Sequence, residues 1–584
     1  MFSVSNTTYI DTLYSRGSFA RSQNRPEKRI LYEAKAIANV GALCIHNDMT
    51  NTSREFEGLL SRYFEKLLTD IPTFATNYAG LTETEGKLGS LAPEFHERRQ
   101  RARQAALRTL EQISPRELGN EQQLDRLALS SLLLKECEDF GRGRHRLEPN
   151  APDSLLNILL HELQRADDHP RRGARNLRSL LKQAPDFLDE ASSALDRPEP
   201  VWLRVMVSVV DGAPTLLDGI EKLFAKVEPR REDISLLSGT ARALERYRER
   251  AEARPAAPAG SFALGPEALQ RRVRDELGLD YTLGQVETLA LREVERVEKL
   301  LATACRRLGR NRQAQDVLAE ARSRWQPEKP LMELYQQETR RVAEGFRRAH
   351  AVSFPGTEEL RIKPVPEFLR ALIPTAAYIA PGAFLREQRG VFWVNDLSLT
   401  KSRPEEKLAE QQQHFGIALT CAHEAYPGHH LQFVTANRHP RKWRRLFAHA
   451  VFYEGWTLWC ERMMIALRID DSPWTRVQQL HDALWRCHRI LVDLRLQTRR
   501  YSYEQAVRHL QKNLGFTRTR AEAEANWYTG QPGVPMSYWL GRLENARLQQ
   551  RLMAGRGWSL KKFNDWLLSF GTIPQAWIEK YGLD

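Results

Sequence analysis

No run of apolar residues in this 584-residue chain approaches the roughly 18 that a membrane-spanning helix requires. Nor does an apolar stretch follow the charges near the N-terminus, as it would in a secretory signal. The two absences lead to the expectation of a cytoplasmic protein with no membrane partner. Cysteine is scarce: Cys44, Cys137, Cys305, Cys421, Cys460 and Cys487 are scattered without C-x-x-C spacing. That pattern excludes a disulfide frame or a cysteine zinc site and predicts reduced thiols serving as small core residues. Strand-like alternation is nearly absent, and no repeat of a few tens of residues recurs, which excludes a β-sandwich and a regular solenoid. A recognisable nucleic-acid-binding motif is missing too. The formal charge of +13 is dispersed through runs such as ERRQRARQ (97–104) and RHPRKWRR (438–445), each expected to be a solvated helix face, so no nucleic-acid partner is expected.

What the chain does have is apolar residues at helical period. With 42% hydrophobic and 28% charged residues it can bury a large core. Little periodicity is visible over 1–49, a segment expected to be a flexible or non-native tail. A helix start follows Met49, with capping-box spacing at Thr52 and Glu55 and a stripe from Phe56 to Leu68. The 3.6-residue period then predicts helices over 92–113, 121–139, 153–165, 173–190, 200–227, 232–252, 284–307 and 327–350. Further helices are predicted over 404–425, 441–468, 473–499, 503–513, 518–529 and 535–553. RPAAPAGS (254–261) reads as a linker, dividing an N-terminal helical subdomain (50–255) from a C-terminal catalytic one (256–584). GVFWVND (390–396) is the one persuasive strand. The expected class is all-α, with one small strand element near the active site and helices around a central cleft.

The chemistry concentrates in CAHEAYPGHHLQF (421–433). In H-E-x-x-H, two histidines four apart share a helix face and bind zinc, leaving the glutamate as general base. Here the fourth position after His423 is Pro427. On a straight helix His429 would lie about 120° away from His423, and His430 about 10 Å along the axis. Pro427, however, cannot donate to the carbonyl of His423, and Gly428 relaxes the backbone, so the helix should break. The Pro-Gly pair then acts as a two-residue insertion that returns His429 to the ligand position. A third ligand is expected on a later helix, and FYEGWTLWCERMM (452–464) supplies Glu454 on an otherwise apolar stripe, 25 residues beyond His429.

HEAYPGHHLQ, YEGWTLWCE and PGVPMSYWLG resemble the bacterial family called domain of unknown function 885, which is similar to helical zinc metallopeptidases of the thimet oligopeptidase and angiotensin-converting enzyme type. The resemblance covers about residue 50 to the C-terminus. It implies one zinc ion per chain, held by His423, His429 and Glu454, with Glu424 as base; the same donor set can hold manganese, cobalt or iron. It also implies that His430 and Gln432 line the site and that Glu461 and Asp493 orient ligating histidines. Trp393 and Asn395, in the strand, are carried as second-sphere or substrate-contacting residues. The chain departs from the family pattern at Val534-Pro535, at Trp527-Tyr528 and at Gln497, where the family has histidine.

These residues point to a zinc metallopeptidase-like hydrolase acting on short peptides or amide-linked small molecules, with Tyr528 or Tyr538 donating to the oxyanion. Substrate backbone is expected to pair with the GVFWVND strand by edge addition, and Arg386, Arg389 or Arg542 to grip a terminal carboxylate. The competing readings are a non-catalytic helical scaffold with a structural metal, a basic nucleic-acid-binding protein, and a carboxylate-bridged di-iron bundle. The last is disfavoured by the lack of paired E-x-x-H motifs.

Overall fold

Thr50 is the first described residue: its hydroxyl accepts the amide proton of Ser53 at 3.0 Å, and helix Asn51–Asp70 follows. The capping box expected at Thr52 and Glu55 is not used. Thr52 is already helical and its hydroxyl turns to Glu117, whereas the extended backbone of Thr50 aims its side chain at the free amides. The computed structural model describes residues 50–309, 312–365 and 375–583, so the tail expected over 1–49 and its Cys44 lie outside them. Each of the other five cysteines is free.

The fold is all-α: 72% of the structure is helical, with one small sheet. The helices that the apolar period predicts stand close to those bounds, with two differences, and Ala314–Arg324, Leu560–Ser569 and Gln575–Tyr581 are further helices it did not give. The span expected at 404–425 is divided by Gly416 in a left-handed conformation, and 441–468 begins with a separate 3-10 turn, Lys442–Leu446. Seven helices matter for the site. They are α1 (Leu283–Arg307), α2 (Ile417–Glu424), α3 (His429–Ala436), α4 (Ala450–Ala466), α5 (Pro473–Gln497), α6 (Arg518–Gly530) and α7 (Val534–Arg556).

Apolar side chains gather into three clusters. The first joins helix Asn51–Asp70 to α4 and the C-terminal helices, with Phe64 stacked on Trp443 at 5.4 Å. Residues on both sides of position 255 therefore share one core. The 254–261 stretch expected as a linker is irregular but tied down: the Ala257 amide donates to Pro198, and Arg142 reaches the carbonyls of Ala263 and Leu264 just beyond it. The second cluster surrounds α5, buried without a break from Val477 to Leu494. The third lies among the helices between Ala151 and Glu252 and one face of the sheet. Helix Pro200–Val227 is long and apolar enough to cross a membrane by length and composition. Here it sets Met206, Val210, Leu217 and Phe224 into the third cluster.

The basic runs are only partly solvated. Arg99 and Arg103 are buried, the second paired with Glu136 at 2.5 Å. Arg444 is fully buried against Asp125, which also takes Arg441. A helix with charge on every face can bury some of it wherever a carboxylate stands opposite. Replacing Asp125 with alanine would remove the buried carboxylate that both guanidiniums share, leaving Arg441 only Glu57 and the fully buried Arg444 only Glu121 and two carbonyls. The expected cost is about 3–5 kcal/mol, read as an earlier urea midpoint, and an unchanged midpoint would refute this account.

The sheet holds β1 (Glu359–Pro364), β2 (Ala376–Ile379) and β3 (Arg389–Val394) in the order β1-β3-β2. β3, the strand expected from GVFWVND, pairs in parallel with β1 and antiparallel with β2. Being central, it has no free edge, so the expected addition of a substrate strand to it is ruled out.

Candidate metal centre

α2 delivers His423 and Glu424 as its last two turnward residues and then stops. Ala425 leaves the helical region, the Tyr426–Pro427 peptide is cis, and α3 restarts at His429. The break is held in place from both sides. The Trp456 indole donates to the Pro427 carbonyl at 2.7 Å, and Gly428 packs against the preceding turn so closely that a Cβ would stand 1.8 Å from the His423 oxygen. α4 brings Glu454 opposite. It approaches α7 backbone to backbone: a Cβ on Gly455 would lie 2.6 Å from Gly541, and one on Gly541 would lie 1.8 Å from the Val451 oxygen. The glycines next to Glu454 and in YWLG thus set how deeply the ligand helix sits.

One ligand atom from each of His423, His429 and Glu454 lies within 4.8 Å of the others, and all three residues are buried. The Nε2 atoms of His423 and His429 stand 3.8 and 3.7 Å from Glu454 Oε2, and the two imidazole rings are nearly perpendicular at 5.0 Å. Glu461 takes His423 Nδ1 at 2.8 Å, which fixes the ring with Nε2 toward Glu454. Both ring nitrogens of His429 and Oε2 of Glu424 lack hydrogen-bond partners among the described residues. Buried polar atoms of this kind are normally satisfied, and a cation amid two imidazoles and a carboxylate would satisfy them. Burial pushes both imidazoles well below the usual histidine range. Burial and then the Glu454 carboxylate hold Glu424 well above the usual carboxylate range. Burial also raises Glu461 to about 8. Two carboxylates facing each other in an apolar pocket repel, a cost that a bound divalent ion offsets.

Other expected residues fall at varied distances from this centre. The Tyr538 hydroxyl hydrogen-bonds Glu454, which places it at the triad. Tyr528 is directed elsewhere: its hydroxyl donates to Glu524 at 2.5 Å, inside a buried pair with Arg489. His430 bonds Tyr378 at 3.0 Å, toward the sheet, and Gln432 donates to Thr572 at 2.8 Å. Asp493 orients no histidine. It accepts the amides of Gly533 and Met536 at 3.0 and 3.4 Å and so holds the turn that starts α7. Trp393 packs into the third cluster, and the Asn395 carbonyl accepts from His414 at 3.0 Å; both serve the sheet. Arg386 is exposed, Arg389 is engaged by Glu359, Glu387 and Asp168, and Arg542 lies over Trp539. Gln497 accepts from the Leu264 amide and donates to the Tyr528 carbonyl, a purely structural bridge.

Sequence reasoning passed over Trp456, which pins the helix break, and Arg489, whose guanidinium lies 4.3 to 4.9 Å from the ring centres of Trp485, Trp527 and Tyr538. The clue was an arginine in a helix whose every face is too apolar to leave it solvated. Trp485 and Trp527 also wall a cavity of about 820 Å³, together with His481, Asp482, Arg520 and Gln531. Arg489 therefore connects the cavity wall to Tyr538 and through it to Glu454.

A family model described as "Bacterial protein of unknown function (DUF885)" matches residues 72–581. No curated protein sequence matches the chain. Among solved structures the fold is similar to "a putative lipoprotein of unknown function from Shewanella oneidensis", at 18% identity and a TM-score of 0.73, covering 91% of this chain and 100% of that one. It is equally similar to "the putative lipoprotein from Colwellia psychrerythraea", at 17% identity and a TM-score of 0.73, covering 91% and 99%. Those descriptions overturn the expected cytoplasmic location. The lack of an 18-residue apolar run does not bear on location, because a lipid anchor requires no such run.

Proposed function

The chain belongs to this bacterial family of unknown function, and from that premise and the geometry of the triad we propose that it is a zinc-dependent hydrolase of peptide or related amide bonds. The observation that carries the reading is the buried convergence of His423, His429 and Glu454, with His429 unpartnered and His423 oriented by Glu461. Two imidazoles and one carboxylate are the donor set of catalytic zinc sites that keep a position open. The kinship with helical peptidases of the thimet oligopeptidase and angiotensin-converting enzyme type belongs to this proposal.

When bound, zinc supplies Lewis-acid polarisation of the scissile carbonyl and acidifies water. The chain's own groups do the rest. Glu424, as the carboxylate, takes a proton from the attacking water and delivers it to the leaving amine. Tyr538 donates to the developing oxyanion from its place beside Glu454. The cavity of about 820 Å³ is lined by none of the triad residues but is joined to Tyr538 through Arg489, and in this reading it takes the flanking parts of a short peptide or amide-linked metabolite.

Metal analysis by plasma mass spectrometry tests the premise. Wild type supplied with zinc should retain one ion per chain, and Glu454→Gln roughly tenfold less, since a neutral amide replaces a charged ligand. Wild type that takes up no divalent ion under these conditions would sink the hydrolase reading and leave the helical scaffold in its place.

A further inference from the structure

Away from the metal centre, four arginines from four helices meet around one pocket, and only Arg296 has a carboxylate opposite it. Arg296 of α1, Arg462 of α4, Arg476 of α5 and Arg542 of α7 line a pocket of about 190 Å³ that no carboxylate lines. Glu293 stands near, but its oxygens are already taken. Arg296 holds them at 2.9 and 2.7 Å, and the Trp539 indole donates to the second at 3.0 Å. Arg476 donates to Gln479 at 2.6 Å. Arg462 and Arg542 lie over the rings of Trp459 and Trp539, at 5.4 and 4.6 Å, and their guanidiniums make no ion pair among the described residues. Arg542 is only 9% exposed. Burial, followed by the charges of Arg462 and Arg296, pushes Arg542 down to about 10, and burial and like-charge neighbours lower Arg462 and Arg476 as well. A buried arginine ordinarily has a carboxylate or a carbonyl opposite it, as Arg444 and Arg103 do here. Gathering these four groups, with Arg542 buried, Arg462 and Arg476 half-buried and Arg296 exposed, costs free energy through mutual repulsion that Glu293 offsets only in part.

We propose that this pocket binds a phosphate-type oxyanion, either inorganic phosphate or the phosphate group of a larger molecule. Guanidinium forks donate paired N–H bonds to two oxygens at once, so several of them can surround a tetrahedral anion, and the Gln479 side chain is at hand between them. The pocket is smaller than the roughly 300 Å³ at which sites for whole small molecules begin, so the phosphate group itself is what it encloses. Arg462 follows Glu461, the residue that holds His423, and Arg542 stands one turn beyond Tyr538. An anion here ties α1, α4, α5 and α7 together behind the metal centre. The site does not depend on the hydrolase reading, and its test uses binding alone.

Calorimetry and thermal unfolding of the full-length protein in rising inorganic phosphate, against sodium chloride at equal ionic strength, separate binding from screening. Phosphate is expected to bind saturably and raise the unfolding midpoint. Arg542→Gln and Arg476→Gln are each expected to bind at least about tenfold more weakly, as loss of a charge-assisted bond implies. Without phosphate both variants should unfold no earlier than wild type, because each removes one member of a repulsive cluster. Should Arg542→Gln fail to fold, the half-buried Arg476 carries the comparison. Saturable binding of glycerol 3-phosphate in addition assigns the site to phosphomonoesters, and binding of inorganic phosphate alone assigns it to the free ion. The proposal is overturned by wild type that responds to neither, by an equal response to chloride, or by phosphate affinity that survives in the variants.

Discussion

With Glu424 replaced by glutamine, hydrolysis of a mixed peptide library is expected to fall by about 10²–10⁴-fold while the zinc content stays at the wild-type value. The substitution is nearly isosteric, and Glu424 sits at the end of α2, one residue beyond His423, so the ligand positions are left alone. What changes is the ability to accept a proton. The repulsion between Glu424 and Glu454 also disappears, so the variant should be no less stable than wild type. Paired measurement of metal and turnover separates three roles. Metal kept with activity lost is the signature of a base; metal lost makes Glu424 a ligand; metal and activity both kept place the base elsewhere.

The all-α class and the positions of most helices were legible in the sequence, because apolar residues at a 3.6-residue period have to be buried together and few other patterns compete with that signal. The break at Pro427-Gly428 was legible for the same kind of reason: a residue without an amide proton cannot continue the ladder. Other features were hidden where long-range partners decide. ELRIKP is charged and gives no strand signal, yet it becomes β1 because Arg389–Val394 lies beside it, with Glu359 bonded to Arg389. Arg99 and Arg444 read as surface residues, since the acids that neutralise them, Asp70 and Asp125, stand far away in sequence. The roles assigned to Tyr528 and Asp493 failed on direction. Residue type and approximate position were known, but side-chain aim is set by Glu524 and by the turn before α7.

Gly428→Ala is expected to have the largest effect of any single methyl group added to this chain: loss of zinc together with either more than about 4 kcal/mol of stability or the soluble fold altogether. A Cβ at this position would sit 1.8 Å from the His423 oxygen and 2.4 Å from its carbonyl carbon. No rotamer relieves such an overlap, because the atoms met are backbone and the added atom is fixed to backbone. The chain can escape only by moving α3 away from α2, and that movement separates His429 from His423. The Trp456 bond to Pro427 and the burial of every residue from 421 to 434 except the half-buried Tyr426 oppose it. Metal loss and destabilisation should therefore appear together, whereas Glu454→Gln should lose metal with the break intact. Gly212 provides the control. It lies inside helix Pro200–Val227 with nothing within 4 Å of the place a Cβ would occupy, so Gly212→Ala should gain about 0.5–1 kcal/mol from propensity alone. If Gly428→Ala instead kept its zinc and unfolded like wild type, the tight turn between the two histidines would not be what brings them together, and the insertion account of the site would have to be given up.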